Sequence, residues 1–346
     1  MNESSNLMIE VKNLKTYFYL PQGIVRSVDG ASFNIFRGKT LGVVGESGCG
    51  KSVTAQSILR IVPTPGKIIG GDILYHKRSD KGNGNFVDEV IDLAKMDWQD
   101  KKIRAIRGAE IAMVFQEPMT SLSVIHTIGN QIEEGIRLHQ NVNSREARER
   151  AIEMLTRVGI AQPEKNVDEY PFRLSGGMRQ RAMIAMALAC HPQLLIADEP
   201  TTALDVTTEA QILELMGKLQ EDLGMSIMFI THDLGVVAEM ANDVVVMYMG
   251  RVVESTDVVN LFHDPKHPYT QALLHSIPKL SDKSGGRLEP ITGSVPDPYT
   301  QLPGCPFHPR CPHMIPNLCD VKAPELLPVN PAHWVSCHLY SEEKPA

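Results

Sequence analysis

Long hydrophobic runs are missing from this sequence. No apolar segment in its 346 residues approaches the ~18 residues that a membrane-spanning helix needs. We therefore expect any membrane role to depend on a partner. The opening stretch, MNESSNLMIE, has neither the basic segment nor the apolar core of a secretory signal peptide, so we expect a cytoplasmic location.

An excess of positive charge is also missing. The chain has 34 Lys and Arg against 41 Asp and Glu, a formal net charge of −7. Because nucleic-acid binding needs a basic face that neutralises phosphates, this balance argues against such a partner. The 42% of hydrophobic residues is ordinary for a globular protein, and the length predicts a large domain with a smaller one.

A glycine-rich loop is the most informative segment. Residues 45–52, G-E-S-G-C-G-K-S, follow an apolar run and precede a helical pattern, as the phosphate-loop motif G-x-x-x-x-G-K-[ST] requires. Glycines let backbone N–H groups converge on an anion at the helix N-terminus. Lys51 would neutralise the β- and γ-phosphates and Ser52 would ligate Mg²⁺. The alternative is a glycine-rich turn that matches by chance.

Strand and helix patterns alternate over about the first 255 residues, which predicts a parallel α/β core. Alternation at residues 9–14 and two short runs within 25–36 predict an antiparallel β layer, and residues 66–93 predict a hairpin with an exposed polar segment at 77–85. The remaining predictions are buried strands at 111–115, 194–198 and 226–230, helices within 128–192, at 145–158 and at 209–223, and a hairpin over 244–249 and 251–254 around Gly250.

Two carboxylates follow the predicted strand 194–198. Asp198 at the carboxyl end of a strand beside a phosphate loop is placed to hold Mg²⁺, and Glu199 can polarise an attacking water as a general base. The alternative is that two acidic residues merely begin a loop.

Residues 174–180, L-S-G-G-M-R-Q, resemble the signature motif of the ATP-binding cassette (ABC) ATPases. A Ser-Gly-Gly segment that opens a helix can direct N–H groups and a hydroxyl at phosphate oxygens, and the resemblance implies that this end completes the site of an opposite subunit. Gln116 resembles the family's Q-loop glutamine, residues 203–205 its D-loop and His232 its switch histidine. Phe18, or its neighbour Tyr17, resembles the aromatic residue that stacks on adenine.

Each of these residues alone has a simpler explanation as a loop or core residue, but together they occur in the family's order. The resemblance implies an α/β fold: an ABC-type P-loop NTPase core with an antiparallel β subdomain and a helical subdomain inserted at about 117–190. The implied ATP-binding residues are Phe18, Gly45, Glu46, Ser47, Gly48, Cys49, Gly50, Lys51, Ser52, Val53, Gln116, Ser175, Gly176, Gly177 and Asp205. The implied catalytic residues are Glu199, His232 and Gln116, and the implied Mg²⁺ ligands are Ser52, Gln116 and Asp198.

Longer stretches narrow the resemblance to the ATPase subunits of oligopeptide and dipeptide importers. They are residues 115–122, 175–181, 197–207 and 231–239. Ser123-Val124 and Phe172-Arg173 stand where that group commonly has Asn-Pro and His-Gln. Neither departure involves a predicted catalytic residue. The resemblance implies that they lie in the helical region that contacts the permease, so they affect the prediction of partner and substrate rather than that of the chemistry.

Four of the six cysteines lie in the proline-rich tail: Cys305, Cys311, Cys319 and Cys337. Cytoplasmic thiols stay reduced, so a metal centre that stabilises a small, irregular domain explains them better than two disulfides. Cysteine chemistry alone leaves Zn²⁺ and a [4Fe-4S] cluster open. The importer ATPases have a similar C-terminal extension that can bind an iron–sulfur cluster, so the resemblance implies [4Fe-4S], with zinc or unmetallated thiols as alternatives. Cys49 and Cys190 are predicted to be structural.

We therefore predict an ABC nucleotide-binding domain at residues 1–258 and a metal-binding C-terminal extension at 259–346. The resemblance implies an ATPase, with ATP and Mg²⁺, that powers import of di- or oligopeptides from the cytoplasmic face of the cell membrane. The implied partners are two transmembrane permease subunits, a second ABC ATPase in a head-to-tail dimer and, indirectly, an extracytoplasmic peptide-binding protein, with no nucleic acid. The alternatives are the same role for nickel or another small solute, a soluble ABC ATPase without a transport role, and a tail that acts as a redox sensor.

Overall fold

The structure, a computed structural model, describes residues 6–80, 86–117, 121–202, 204–276, 291 and 293–341. Its strands are β1 (Leu7–Leu20), β2 (Gly23–Phe36), β3 (Thr40–Val44), β4 (Gly66–Asp80), β5 (Phe86–Asp92), β6 (Ile111–Val114), β7 (Leu194–Asp198), β8 (Ser226–Ile230), β9 (Asp243–Tyr248), β10 (Arg251–Asp257), β11 (Leu327–Asn330) and β12 (His333–Val335). Its helices are α1 (Lys51–Ile58), α2 (Lys101–Ile106), α3 (Ile128–His139), α4 (Ser144–Arg157), α5 (Pro163–Asn166), α6 (Gly176–Leu188), α7 (Val206–Leu223), α8 (Leu234–Met240), α9 (Val258–His263) and α10 (Pro268–His275).

The chain forms two compact units. Unit 1 comprises Met1–Phe36, Leu41–Lys95 and Thr231–Ala346, and unit 2 comprises Arg37–Thr40 and Met96–Ile230. The C-terminal residues therefore lie in the same unit as the phosphate loop. The predicted domain boundary at residue 258 rests on a change of amino-acid composition. It does not coincide with the division into two compact units, and it stays a prediction.

Unit 1 contains an antiparallel sheet with the strand order β2-β1-β4-β5, which confirms the predicted β layer. The prediction of two short strands within residues 25–36 was wrong, because β2 is continuous. In the pairing of β1 with β2, Leu14 lies opposite Ala31, but the next residue, Lys15, lies opposite Asp29. Gly30 of β2 therefore has no partner in β1 and is the extra residue of a β-bulge, with a φ of 98°. A glycine in a strand pattern can thus mark a bulge rather than a strand end.

The predicted hairpin over residues 66–93 is confirmed by the antiparallel pairing of β4 with β5. The two strands extend into the predicted polar segment, with Lys77 opposite Glu89 and Arg78 opposite Asp88. Residues 81–85 of that segment lie outside the described residues.

Unit 1 also contains β3 and the strands that follow α8. β3 pairs in parallel with β9, and β9 pairs in antiparallel fashion with β10 around Gly250. The sheet continues from β10 to β12 and then to β11, again with antiparallel pairing. The predicted hairpin at Gly250 is therefore confirmed. The tail predicted to be irregular does contain long irregular segments, but its short strands β11 and β12 were not predicted, because three or four residues carry too little alternation to reveal a strand.

Unit 2 contains the parallel strands in the order β8-β7-β6, together with the predicted helical region. α3, α4 and α6 begin at side-chain caps in which Thr127, Asn143 and Ser175 accept backbone N–H groups. Their buried faces include Ile132 of α3 and Leu155 of α4, each at most 1% exposed. The predicted strands at 194–198 and 226–230 are confirmed with the same bounds, and the strand at 111–115 and the helices at 145–158 and 209–223 are confirmed to within three residues.

A fully buried carboxylate joins the C-terminal segments of unit 1. Glu254 of β10 accepts hydrogen bonds from the backbone N–H groups of Lys266 (2.7 Å) and His267 (2.9 Å) and from His333 Nε2 (2.6 Å). Burial alone would raise the pKa of Glu254, but the hydrogen bonds from His333 and its other donors outweigh it and lower the pKa. An ionised acceptor at this position connects β10 to the start of α10 and to β12.

His267 makes the stability of the fold depend on pH. It is 1% exposed, and burial lowers its pKa from 6.5 to about 4. The unfolded chain therefore takes up a proton below pH 6.5 that the folded chain does not, so stability is lost as pH falls from 6.5 towards 4. Between pH 7 and pH 5 we expect this residue alone to lower the free energy of unfolding by about 2 kcal/mol.

The measurement is urea unfolding at pH 7, 6 and 5 for the wild type and for His267→Asn. His267 caps α10 by accepting the backbone N–H of Tyr269, and an asparagine oxygen can replace that cap without titrating. The variant should lose about 2 kcal/mol less than the wild type over this range. Parallel pH profiles for the two proteins would contradict the assignment.

Candidate functional site

The predicted phosphate loop connects β3 to α1 in unit 1, and its backbone approaches neighbouring strands too closely for any side chain. Gly45 has a φ of 151°, and a Cβ there would lie 2.2 Å from the carbonyl oxygen of Met247 and 2.7 Å from Cys49 Sγ. Gly50 has a φ of 100°, and a Cβ there would lie 2.1 Å from the carbonyl oxygen of Ser27. Only glycine fits at either position.

Lys51 is the first residue of α1, and its side chain lies along the loop. Its Nζ donates to the carbonyl oxygens of Gly45 (2.8 Å) and Glu46 (3.2 Å), and the residue is only 5% exposed. Ser47 and Gly48 at the loop tip are exposed, whereas the predicted ligands Ser52 and Val53 are half-buried in the first turn of α1. The loop thus combines one buried cation with an accessible tip.

Cys49 is buried within the loop, and desolvation raises the pKa of its thiol. Cys190, at the end of the helical region, is half-buried, and its Sγ lies 3.5 Å from the carbonyl oxygen of Gly135. Burial also raises the pKa of Cys190. A raised pKa disfavours the reactive thiolate, so both environments suit the structural role predicted for these cysteines.

The two aromatic candidates for adenine binding lie in different surroundings on β1. The Tyr17 hydroxyl donates to Asp29 Oδ1 at 2.5 Å, and the Arg26 guanidinium lies 5.4 Å from the centre of the Tyr17 ring. Burial and this hydrogen bond raise the pKa of Tyr17 to about 12. The Phe18 ring is half-buried and packs closely against Gly66 at the start of β4.

His232 lies in the turn that leads into α8 in unit 1. The preceding residue, Thr231, donates its backbone N–H to Val43 of β3 (3.2 Å), and the following residue, Asp233, caps α8. The imidazole is exposed. Its backbone is therefore connected to the strand that leads into the phosphate loop, while the side chain reaches solvent.

In unit 2 the structure brings together two of the predicted catalytic residues, which are separated by 83 positions. Glu199 follows β7 with a φ of 46°, and its Oε2 accepts from Gln116 Nε2 at 3.1 Å. The same oxygen accepts from the Thr202 hydroxyl at 3.0 Å. Asp198 beside it is only 5% exposed. The carboxylate of Glu199 is thus oriented by two donors at the carboxyl end of β7.

The predicted signature residues also lie in unit 2, at the start of α6. Ser175 caps the helix by accepting the N–H of Met178 (3.3 Å), and Ser175 and Gly176 are exposed. A Cβ on Gly177 would lie 2.9 Å from Thr208 in the first turn of α7. The exposed hydroxyl and the free end of the helix therefore form a surface that can meet an anion.

Asp205, the last residue of the predicted D-loop, caps α7. Its carboxylate accepts the backbone N–H of Thr208 at 3.0 Å and the Thr208 hydroxyl at 2.7 Å. The backbone and side-chain hydrogen bonds from Thr208 lower the pKa of Asp205. Ala203 of the predicted D-loop lies outside the described residues.

All four tail cysteines lie in unit 1, and the Cys337 thiol is near enough to the other three for their charges to raise its pKa. Cys305 and Cys319 are each 8% exposed, and the backbone N–H of Cys305 donates to the carbonyl oxygen of Cys319 at 2.7 Å. Burial and the neighbouring thiols raise the pKa of Cys305 to about 11 and that of Cys337 to about 12. Within the described residues, however, no group of three or more His, Cys, Asp or Glu side chains has the geometry that holds a metal ion. The predicted metal-binding character of this region is therefore not confirmed.

Comparison with known proteins identifies the chain. The family described as ABC transporter matches residues 28–202, which is about half of the sequence. The chain belongs to the ABC transporter family. A second family, described as oligopeptide/dipeptide transporter, C-terminal region, matches residues 253–319. The chain is therefore an ATP-hydrolysing subunit of the ABC transporter family, as its phosphate loop and signature motif predicted.

Relatives match this ABC transporter ATPase over nearly its whole length. It is 50% identical over 337 residues to the oligopeptide transport ATP-binding protein AppD of Bacillus subtilis, covering 97% of this chain and 98% of AppD. It is 48% identical to the probable peptide ABC transporter ATP-binding protein y4tR of Sinorhizobium fredii, covering 97% and 96% of the two chains. Its identity to the dipeptide transport ATP-binding protein DppD of Bacillus subtilis is 44%, with 97% and 95% covered.

Solved structures support the same fold. The dimeric post-hydrolysis structure of the ATP-binding cassette MJ0796 with ADP and Pi matches with a TM-score of 0.61 and 27% identity, covering 72% of this chain and 99% of that one. The cbiO1 structure from Clostridium perfringens matches with a TM-score of 0.59 and 28% identity, covering 75% and 92%. These similarities confirm the predicted ABC ATPase cassette. Among the described residues of this ABC ATPase, no helix has the length and apolar character needed to cross a bilayer.

Several contacts at these positions were not predicted. Thr202 contacts Glu199, and its place three residues after that carboxylate was the only sequence signal. Arg310 and Tyr269 both contact Glu46 of the phosphate loop from more than 200 positions away. No motif includes these two residues, so the sequence alone gave no reason to connect them with the loop.

Proposed function

We propose that this ABC ATPase hydrolyses ATP to power the import of di- and oligopeptides through separate membrane subunits. The observation that carries the proposal is the 50% identity to AppD, described as an oligopeptide transport ATP-binding protein, over 97% of this chain and 98% of that one. The match of residues 253–319 to the oligopeptide/dipeptide transporter C-terminal region extends the similarity beyond the cassette.

In unit 1, the phosphate loop binds the β- and γ-phosphates of ATP and Lys51 neutralises their charge. The buried ammonium, already oriented by the loop carbonyls, supports this role because little side-chain entropy remains to be lost on binding. Tyr17 or Phe18 stacks on the adenine. His232, exposed beside β3, interacts with the γ-phosphate.

The side chains predicted to bind Mg²⁺ are chemically suitable ligands, because this hard cation prefers oxygen donors. The proposed ligands offer such oxygens: the Ser52 hydroxyl in unit 1, and the Gln116 amide oxygen and the Asp198 carboxylate in unit 2. Mg²⁺ would neutralise charge that develops on the transferred phosphoryl group.

In unit 2, Glu199 polarises the attacking water. The hydrogen bonds from Gln116 and Thr202 hold its carboxylate in one orientation, which supports a role as general base because proton transfer requires a fixed geometry. Gln116 then positions the carboxylate as well as providing an amide oxygen for Mg²⁺.

The functional form is a head-to-tail dimer of ABC ATPases, either two copies or this chain with a paralogue. Ser175, Gly176 and Gly177 of each chain complete the nucleotide site of its partner, and Asp205 lies at the same face. The exposed start of α6 and the dimeric MJ0796 structures support this arrangement. Two permease subunits bind the dimer at the cytoplasmic face of the membrane, an extracytoplasmic protein delivers the peptide, and nucleic acid takes no part.

The four tail cysteines hold an iron–sulfur cluster in this proposal. The charges of Cys305, Cys311 and Cys319 act on the Cys337 thiol, and thiol donors suit [4Fe-4S] or, as the alternative, Zn²⁺. The bound group would stabilise the long irregular segments of the tail, which have little core of their own. Cys305 and Cys319, joined by a backbone hydrogen bond, already lie side by side.

Substitution of the general base tests the chemistry. Glu199→Gln should retain ATP binding, because the amide has the same shape, and should lower ATP turnover by a factor of about 100 or more. The matched control is Glu214→Gln on the exposed face of α7, which should hydrolyse ATP like the wild type. Turnover that is unchanged in Glu199→Gln would remove this residue from its role.

The transport role is tested by affinity purification of the tagged chain from detergent-solubilised native membranes, followed by mass spectrometry. We expect polytopic permease subunits and a second ABC ATPase to co-purify with it. Uptake of labelled di- and oligopeptides should then be lost when Glu199→Gln replaces the wild type. Recovery of only soluble proteins or nucleic acid, with none of the chain in membranes, would overturn the importer proposal.

The cluster is tested by iron, sulfide and zinc analysis of the full chain purified without oxygen. We expect about four iron atoms and four sulfides per chain, with the broad visible absorption of an iron–sulfur cluster. Cys319→Ser should lose the iron, whereas Cys190→Ser should keep it. One zinc ion per chain without sulfide, or no metal at all, would contradict the iron–sulfur assignment.

A further inference from the structure

We infer that Arg310, in the C-terminal region, is a positioning residue for ATP binding and acts through an ion pair with Glu46 of the phosphate loop. The inference rests on the proposed binding of ATP by this loop. Arg310 lies 264 positions after Glu46 and belongs to none of the nucleotide motifs. It would make ATP affinity depend on a segment outside the cassette motifs.

The ion pair is bidentate. Arg310 Nη1 donates to Glu46 Oε2 at 2.8 Å, and Nη2 donates to Oε1 at 3.1 Å. A guanidinium that binds both carboxylate oxygens fixes their orientation, which a single contact does not. The Glu46 side chain is therefore held in one conformation.

The main chain of Glu46 is held as well. Its N–H donates to the Tyr269 hydroxyl oxygen at 2.8 Å, and its carbonyl oxygen accepts from Lys51 Nζ at 3.2 Å. Arg310, Glu46 and Lys51 thus form a continuous series of contacts. Because the lysine that is to meet the phosphates is bonded to the residue that Arg310 holds, a movement of Glu46 would also move the ammonium.

Arg310 itself has little freedom. Its side chain is 4% exposed, and Nη1 also donates to the Tyr248 hydroxyl at 3.3 Å. Its guanidinium carbon lies 5.8 Å from the ring centre of Tyr248 and 5.9 Å from that of Phe307. Tyr269 packs on both rings, at 4.7 and 5.4 Å between centres. One aromatic cluster therefore places both groups that hold Glu46.

The charges give the ion pair a direct effect on ATP. An unneutralised carboxylate in the loop would repel the phosphates and attract the Lys51 ammonium away from them. Arg310 neutralises this carboxylate in a partly buried environment, where charges interact more strongly than in water. Loss of Arg310 should therefore weaken ATP binding and raise KM, with a much smaller effect on kcat.

The experiment is calorimetric titration of the full chain with AMP-PNP and Mg²⁺, an ATP analogue that is not hydrolysed. We compare the wild type, Arg310→Met, Glu46→Gln and the double variant. Arg310→Met should bind about tenfold more weakly, and the double variant should recover most of this loss, because the unpaired charge is gone. Arg148→Met is the matched control: it removes a bidentate pair with Asp168 (2.8 and 2.7 Å) in unit 2 and should bind like the wild type.

Recovery in the double variant separates positioning by charge from a structural role, since lost packing would not be restored by Glu46→Gln. A folded Arg310→Met chain that binds AMP-PNP like the wild type would overturn the inference, and so would a double variant as weak as Arg310→Met. If Arg310→Met does not fold, Arg310→Lys should bind AMP-PNP with intermediate affinity, because lysine keeps the charge but makes no bidentate pair. Wild-type affinity in Arg310→Lys would contradict the role given to the bidentate guanidinium. A wild-type chain that binds no AMP-PNP would overturn ATP binding by the loop itself.

Discussion

The close packing of the predicted phosphate loop against two other backbone segments of unit 1 is the constraint on which the conformation of the loop depends. A side chain at Gly45 would collide with the carbonyl oxygen of Met247, and one at Gly50 with that of Ser27. The turn between β9 and β10 closes the arrangement, because Gly250 donates its N–H to Cys49 and accepts the N–H of Asp29. β2, the loop and this turn therefore form one rigid backbone assembly, and the position of Lys51 follows from it.

The same unit accommodates the C-terminal region, which composition alone had suggested to be a separate domain. Two pairs that each contain a buried charge join it to the cassette elements: the buried Glu254 of β10 binds the start of α10 and His333 of β12, and the buried Arg310 binds the partly buried Glu46. Buried charges persist only where partners satisfy them, so each pair specifies one placement of the tail. Within unit 1, the tail therefore contributes contacts that hold the phosphate loop.

Prediction from sequence succeeded where a local pattern carries the physical cause. Alternation, the 3.6-residue period and glycine-rich turns located nearly every long element, because burial of one face is visible in neighbouring residues. It failed where the cause is pairing between strands: Gly30 was interpreted as a strand end, yet β2 continues through it, and the pairing with β1 accommodates the extra residue as a bulge. It also failed for the short strands β11 and β12, whose stability comes from pairing with β10 and with each other rather than from their own pattern.

The sequence by itself determined the family of this protein, and with it the ATPase activity, because the phosphate-loop and signature motifs are defined by residue types at fixed short spacings. Sequence motifs connect only residues that are close in the chain or that follow one another in the order typical of a family. Only the tertiary structure decided that Gln116 and Thr202 share one oxygen of Glu199, and that Tyr269 and Arg310 hold Glu46. Such contacts arise from the folding of distant segments onto one another, and no local pattern of side chains records them.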